Sequence, residues 1–207
     1  MPSDSQPPAT LTRSSAAERR RERLLEATIE VAGEHGWEAM TLTEVVSRAG
    51  LSKRTVYDLF EDKLACFLAA ARELIGRVSA LTLAAYQAAG SPRDGFAAGV
   101  RALLRFCGES PGPARVYLVE TAAAGPAGAA LWREHMDSMS ERAACALGQL
   151  RSDLPAHAGS MAVGGIYTVA QVRVLAGQGE QLPALAPEMT EALCMALGIE
   201  TTASGTG

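Results

Sequence analysis

The chain has 207 residues and a formal net charge of −4; 48% of it is hydrophobic but only 5% aromatic. That apolar content excludes disorder as a description of the whole chain, and its source in Ala, Leu and Val favours an all-α protein. The acidic balance argues against a generically basic nucleic-acid binder, and no apolar stretch reaches the ~18 residues of a membrane span.

Residues 1–14 hold Pro2, Pro7 and Pro8 among Ser and Thr. They are expected as a disordered arm with no secretory signal, so a cytoplasmic location is the default. The four cysteines, Cys66, Cys107, Cys145 and Cys194, stand singly. They read as small buried hydrophobes, with a redox-sensing thiol as the other reading.

Helical periodicity begins near Ser14 or Ser15, with Glu18 at the capping-box offset from Ser15. Leu24, Thr28, Val31 and His35 form one stripe and Leu25, Ile29 and Ala32 its neighbour, which together are expected to make a wide buried face. Glu22, Glu26, Glu30 and Glu34 recur every four residues opposite, as a solvated row. The helix stops at Gly36 and is followed by an apolar anchor, Trp37. Thr41 with Glu44 opens a helix of about two turns, and Gly50 ends it. Ser52 then caps a second short helix whose Val56, Leu59 and Phe60 point inward. Two short helices joined by a glycine turn need the preceding long helix as a third wall, the outline of a helix-turn-helix.

A long Ala-rich helix is expected from Asp62 to about Gln87, and another from Pro92 to about Cys107. A short apolar segment, Ala114 to Ala124, precedes a long helix that ends near Arg151. Helices at about 157–177 and 187–198 complete the chain, and 201–207 is a small polar tail. The division is therefore an arm over 1–14, a helix-turn-helix domain over 15–65, a helical domain over 66–200 and the tail.

Gly36-Trp37, Thr41-Leu-Thr-Glu-Val-Val46, Ala49-Gly50-Leu-Ser52, Thr55-Val-Tyr57 and Phe60-Glu-Asp-Lys63 make residues 16–70 resemble the DNA-binding domain of TetR-family bacterial repressors. The resemblance implies an N-terminal three-helix DNA-binding domain and a C-terminal helical domain for ligand binding and dimerisation. By matching positions it places Thr43, Lys53, Arg54, Thr55, Tyr57 and Lys63 on DNA. Physical reasoning agrees for the second short helix, because the N-terminal residues of a recognition helix meet base edges. Among Ser52, Lys53 and Arg54, Arg54 is expected to read guanine directly. Thr55 and Tyr57 would reach phosphates, Lys63 would clamp one, and Thr43 and Arg48 would support them. Two bland readings stand beside these: Tyr57 as a core aromatic, and Lys53 and Arg54 as solvated surface. Arg13, Arg19, Arg20, Arg21 and Arg23 read as a helix start or as a phosphate clamp.

One helix-turn-helix reads few base pairs, so a homodimer on a palindromic operator is expected. Ala162, Gly165 and Val169 on one late helix, and Leu193 and Leu197 on the last, are the interface candidates. A small-molecule effector pocket would draw on Tyr86, Arg105, Phe106, Tyr117, Trp132, His135, Met136, Met139, Tyr167 and Gln171, each of which could instead be core or surface. The resemblance further implies that the effector releases operator DNA through a two-state shift. The rival reading is a helix-turn-helix regulator without an effector, controlled by a protein partner, redox state or abundance. No nucleophile, phosphate-binding or metal-ligand motif is present, so neither catalysis, cofactor nor metal is expected.

Overall fold

The computed structural model describes residues 9–199, with side-chain surroundings from residue 16 onward. Residues 1–8 of the expected arm and the 201–207 tail lie outside the described residues. Among these residues the secondary structure is helical and contains no strand. Among the described residues no helix is long and apolar enough to cross a membrane, and no cluster of His, Cys, Asp and Glu could hold a metal ion.

Helix α1, Ala9–His35, starts earlier than its sequence suggests, so Ser14 and Ser15 lie inside it rather than capping it. Its buried face includes Leu24, Leu25, Thr28, Ile29, Val31 and Ala32. The Thr28 hydroxyl donates back to the Leu24 carbonyl at 2.7 Å and lies 3.4 Å from Cys66 Sγ. A polar residue is thereby satisfied inside the core, where an unbonded hydroxyl would cost about 1–3 kcal/mol.

Helix α2, Leu42–Ala49, carries the full capping box: the Glu44 amide donates to the Thr41 hydroxyl and the Thr41 amide to the Glu44 carboxylate. The Thr41 hydroxyl, which donates to that carboxylate at 2.7 Å, and then the Thr41 amide hold the Glu44 carboxyl below its ordinary pKa. Gly50 closes α2 at φ 60°, a left-handed conformation that side chains resist. Helix α3, Lys53–Leu59, begins at a Ser52 cap, and helix α4, Lys63–Gln87, at an Asp62 cap whose carboxylate accepts from Ala65 N–H at 2.7 Å.

Helix α5, Pro92–Glu109, opens on a Ser91 cap with proline in its first turn. The apolar segment after it is three pieces rather than one: helix α6, Pro111–Arg115, a π-helical turn, Val116–Glu120, and helix α7, Thr121–Ala123. Helices α8, Gly125–Gly148, and α9, Ala158–Leu175, follow, then a 3₁₀ turn and helix α10, Leu182–Ala196. The last helix starts five residues before its expected beginning at 187. Pro183 sits in its first turn, and Pro187 is tolerated within the helix on its exposed side.

Helices α4 with α5, α8 with α9, and α10 with α5 are the main pairings of the larger domain, while α1 packs on α2, α4 and α6. A Cβ on Gly33 would lie 2.7 Å from the Gly112 backbone. Helices α1 and α6 therefore cross at backbone contact, and one apolar core runs on from the first three helices into the rest.

Candidate nucleic-acid interface and internal cavity

The cap of α3 arranges its hydroxyls locally. The Thr55 amide donates to Ser52 Oγ at 3.3 Å, and the two hydroxyls lie 3.0 Å apart. Val56 faces the core, which leaves Lys53, Arg54 and Tyr57 on the solvent side of the helix. Tyr57 is 62% exposed, so it is not a core aromatic. No carboxylate pairs with Lys53 or Arg54 among the described residues. Thr43, in the first turn of α2, is also exposed.

Several other basic residues, Arg23, Arg48 and Lys63 foremost, are committed to the protein itself. Arg23 donates to the Ala49 carbonyl and, at 3.4 Å, to that of Gly50, which fastens the helix-turn-helix corner to α1. Arg48 forks onto Glu34, with two bonds of 2.8 Å, and reaches Glu30 at 3.3 Å. Those bonds raise the Arg48 pKa and lower that of Glu34. The end of the supposedly solvated glutamate row thus tethers α2 to α1. Arg48 cannot face a phosphate without breaking that fork.

Lys63 departs furthest from expectation. Its ammonium donates to the Glu38 and Met40 carbonyls at 3.0 and 2.9 Å and stands 4.4 Å above the Trp37 ring. All of its directed interactions are internal, so it staples the start of α4 to the loop after α1 rather than projecting as a clamp. Arg21 pairs with Glu73 at 3.6 Å, while Arg19 and Arg20 are exposed; the Arg13 side chain lies outside the described residues.

A cavity of about 260 Å³ opens between α4, α5, α8 and α9. Of the expected contacts, Tyr86, Met139 and Tyr167 line it. Arg105 does not: it is exposed and lies 3.8 Å from Glu109, one helical turn away. Gln171 donates to the Leu118 carbonyl at 2.9 Å, and Met136 packs on the core. Phe106, Tyr117, Trp132 and His135 form an aromatic cluster behind the Tyr167 wall, with ring centroids 5.4–5.9 Å apart at mostly edge-on angles.

Sequence reasoning missed Gly95, Gly99, Arg142, Ala143 and Ala146 among the lining residues. Small residues in an Ala-rich helix carry no signal. What marks these is the space left in front of them.

The cluster centres on three polar atoms. The Tyr117 hydroxyl lies 2.7 Å from His135 Nε2 and 2.5 Å from the Tyr167 hydroxyl. Burial, and to a lesser degree the positive charge of Arg142, push the His135 pKa down to about 4. Burial also raises both phenols well above their ordinary value. The triad is therefore neutral and internally satisfied near pH 7.

Tyr117 belongs to the π-helical turn, and so does Glu120 three residues on. The buried Glu120 carboxylate accepts from the Trp37 amide at 2.8 Å and from Arg115 Nε at 2.8 Å. Gly36, at φ 86°, lies against the same pair of side chains. One wider helical turn thus touches the cavity wall at one end and the helix-turn-helix domain at the other.

The interface candidates are redistributed. Ala162 is buried within the subunit, and Leu193 and Leu197 pack on its own core, so these three do not form an open face. The exposed apolar side of α9 is instead Met161, Gly165, Val169, Val172 and Leu175, with Met195 exposed on α10.

Residues 24–70 match the bacterial regulatory proteins of the tetR family. The chain is 33% identical over 86 residues to the HTH-type transcriptional regulator BetI of Rhizobium meliloti, a match spanning 42% of each protein. The chain thus aligns with under half the length of that relative. Among solved structures it is similar to the fatty acid degradation regulator FadR from Bacillus halodurans. There the TM-score is 0.78 at 18% identity, covering 87% of this chain and 97% of that one. It is also similar to FadR from Bacillus subtilis in complex with stearoyl-CoA, with a TM-score of 0.73 at 17% identity, covering 83% and 96%.

Proposed function

We propose that this chain, which belongs to the tetR family of bacterial regulatory proteins, is a transcriptional regulator that binds a palindromic operator as a homodimer and is released by a small-molecule effector. The observation that carries the reading is the presentation of α3. Its base-facing cations, Lys53 and Arg54, stand free on a helix locked by the Ser52 cap and by the Arg23 tether. The neighbouring cations Arg48 and Lys63 are already spent on internal bonds. Arg54, with Lys53 second, reads guanine edges; Thr43 and Tyr57 position the backbone. The Ser52 and Thr55 hydroxyls serve chiefly the cap. Repression is the expected sign of regulation.

The exposed α9 face supplies the dimer. Met161, Gly165, Val169, Val172 and Leu175 follow helical spacing over four turns and place large apolar groups in water on a single subunit. A second copy there would hold two α3 helices at the ~34–36 Å spacing of successive major grooves.

The cavity supplies the effector site. A ligand pressing on Tyr167 acts through Tyr117 on the π-helical turn, and through Glu120 on the Trp37 amide. The coupling energy in such systems is about 1–3 kcal/mol. The solved FadR of Bacillus subtilis holds stearoyl-CoA, a precedent for an effector within this fold.

The test is selection of duplexes from a random pool by the purified full chain. An inverted repeat should emerge, and Arg54→Ala should lose discrimination at one position per half-site, at a cost of about 1–3 kcal/mol. Recovery of no preferred sequence would overturn the proposal.

A further inference from the structure

The cavity has a shape and a polarity that name a ligand class, and this inference rests on the effector reading above. Its wall along α8 and the residue that caps it runs from Met139 to Gln149. Ten residues at ~1.5 Å each make a slot ~15 Å long. About 260 Å³ along that length describes a slot longer than it is wide.

The inner walls are Phe96, Val100, Leu103, Val163, Ile166 and Tyr167, all buried. The one phenol at this end is no exception, because its hydroxyl is bonded behind the wall to Tyr117 and only its ring faces the slot. The buried Thr82 hydroxyl, also on the lining, donates to the Ser79 carbonyl at 3.0 Å, so a polar terminus among the apolar walls would lose most of its hydrogen bonding, a cost of about 1–3 kcal/mol. The rim differs. Arg142 lines the cavity, is exposed, and has no carboxylate partner among the described residues. Gln149 and the Tyr86 hydroxyl, 3.5 Å apart, add neutral hydrogen-bonding groups.

We infer that the slot takes an amphiphile with a single unbranched hydrocarbon chain buried inside and an anionic head held at the rim by Arg142. The anion is either a carboxylate or the phosphate-bearing head of a thioester; both present negative charge to a guanidinium. Gly99 marks the path of the chain. A Cβ there would meet only the Thr82 carbonyl, at 3.6 Å, so a larger side chain fits the helix and fills the slot.

The test is calorimetric titration of the full chain with dodecanoate, dodecanoyl-CoA and dodecyltrimethylammonium, each below its micelle concentration. At least one of the two anions should bind saturably, and the cation at least tenfold more weakly. The free acid and the thioester, compared directly, tell which head is read. Arg142→Glu should abolish or reverse the charge preference, and Gly99→Leu should remove binding of all three while melting temperature is kept. Equal binding of cation and anion, indifference to Arg142→Glu, or tighter binding of a fused-ring carboxylate than of both chains would overturn the inference. If an anionic chain binds as expected but never releases operator, the effector reading fails and the ligand class stands. If another compound releases operator while neither chain binds, the ligand class fails and the effector reading stands.

Discussion

The helix-turn-helix domain and the cavity domain are built on opposite principles. In the first, the helix caps are local: Thr41 with Glu44, Ser52 with Thr55 and Asp62 with Ala65 all act across three residues. In the second, the decisive contacts are remote. Tyr117 meets Tyr167 across 50 positions, and Glu120 meets the Trp37 amide across 83. The lesson is that short-range caps set where the helices of the first domain begin, whereas the cavity and the control proposed for it depend on packing between distant segments.

The strongest way to break this contrast is to disable the local domain from the remote one. Val172→Glu places a charge on the proposed α9 interface and leaves every helix-turn-helix contact intact. Operator affinity should fall by more than 100-fold, with sedimentation reporting a monomer; a stable dimer with normal binding would remove α9 from the interface.

Next is the buried imidazole. With its folded pKa near 4 and an ordinary value near 6.5, His135 takes up a proton in the unfolded chain before it does so in the folded one. Its contribution to stability is therefore complete above pH 6.5 and is lost as pH falls toward 4, by about 3 kcal/mol. His135→Gln keeps an acceptor for Tyr117 but cannot titrate. Its melting temperature should decline less steeply over that window, and parallel profiles would show that other groups govern the acid transition.

Lys63→Met sharpens the comparison from the other side. Removing the staple to the Glu38 and Met40 carbonyls should cost about 1–2 kcal/mol of stability. The slope of operator affinity against salt should stay unchanged, because no phosphate contact is lost. A slope lower by about one unit would instead mark Lys63 as a phosphate contact.

The smallest expected effect is that of Glu120→Gln, which keeps an acceptor for the Trp37 amide but loses the charge opposite Arg115. Operator affinity should be nearly normal while the effector-induced loss of affinity changes by about 1 kcal/mol. An unaltered effector response would remove the π-helical turn from the coupling route.

Much of the first domain was legible for the reason just given. A capping box, a glycine turn and an apolar stripe leave marks three or four residues apart, and α2, α3 and the start of α4 fall where those marks place them. The exception is the fate of the cations. Arg23, Arg48 and Lys63 look no different in sequence from Lys53 and Arg54, because their partners, the Ala49 carbonyl, Glu34 and the Met40 carbonyl, are on other segments. The cavity was legible only where a large aromatic or a methionine lines it, as at Tyr86, Met139 and Tyr167. Arg105 and Gln171 were drawn in by their chemistry alone and are engaged elsewhere.

The net charge of −4 illustrates the same division. Residues 11–65 carry nine basic and ten acidic side chains, so the balance of even this domain gives no hint of a DNA surface. Segregation does, and segregation is partly a tertiary matter: Glu30 and Glu34 neutralise Arg48, leaving Lys53 and Arg54 unopposed.

By itself, the sequence determined that the protein is helical, where the helix-turn-helix lies and which helix end offers cations, since periodicity and capping act within one or two turns of chain. Only the tertiary structure decided which basic groups remain free, which α9 residues face outward and where a slot is left beside Gly99. Those outcomes depend on the groups that segments far apart in sequence bring together, and an empty space between helices has no residue of its own to announce it.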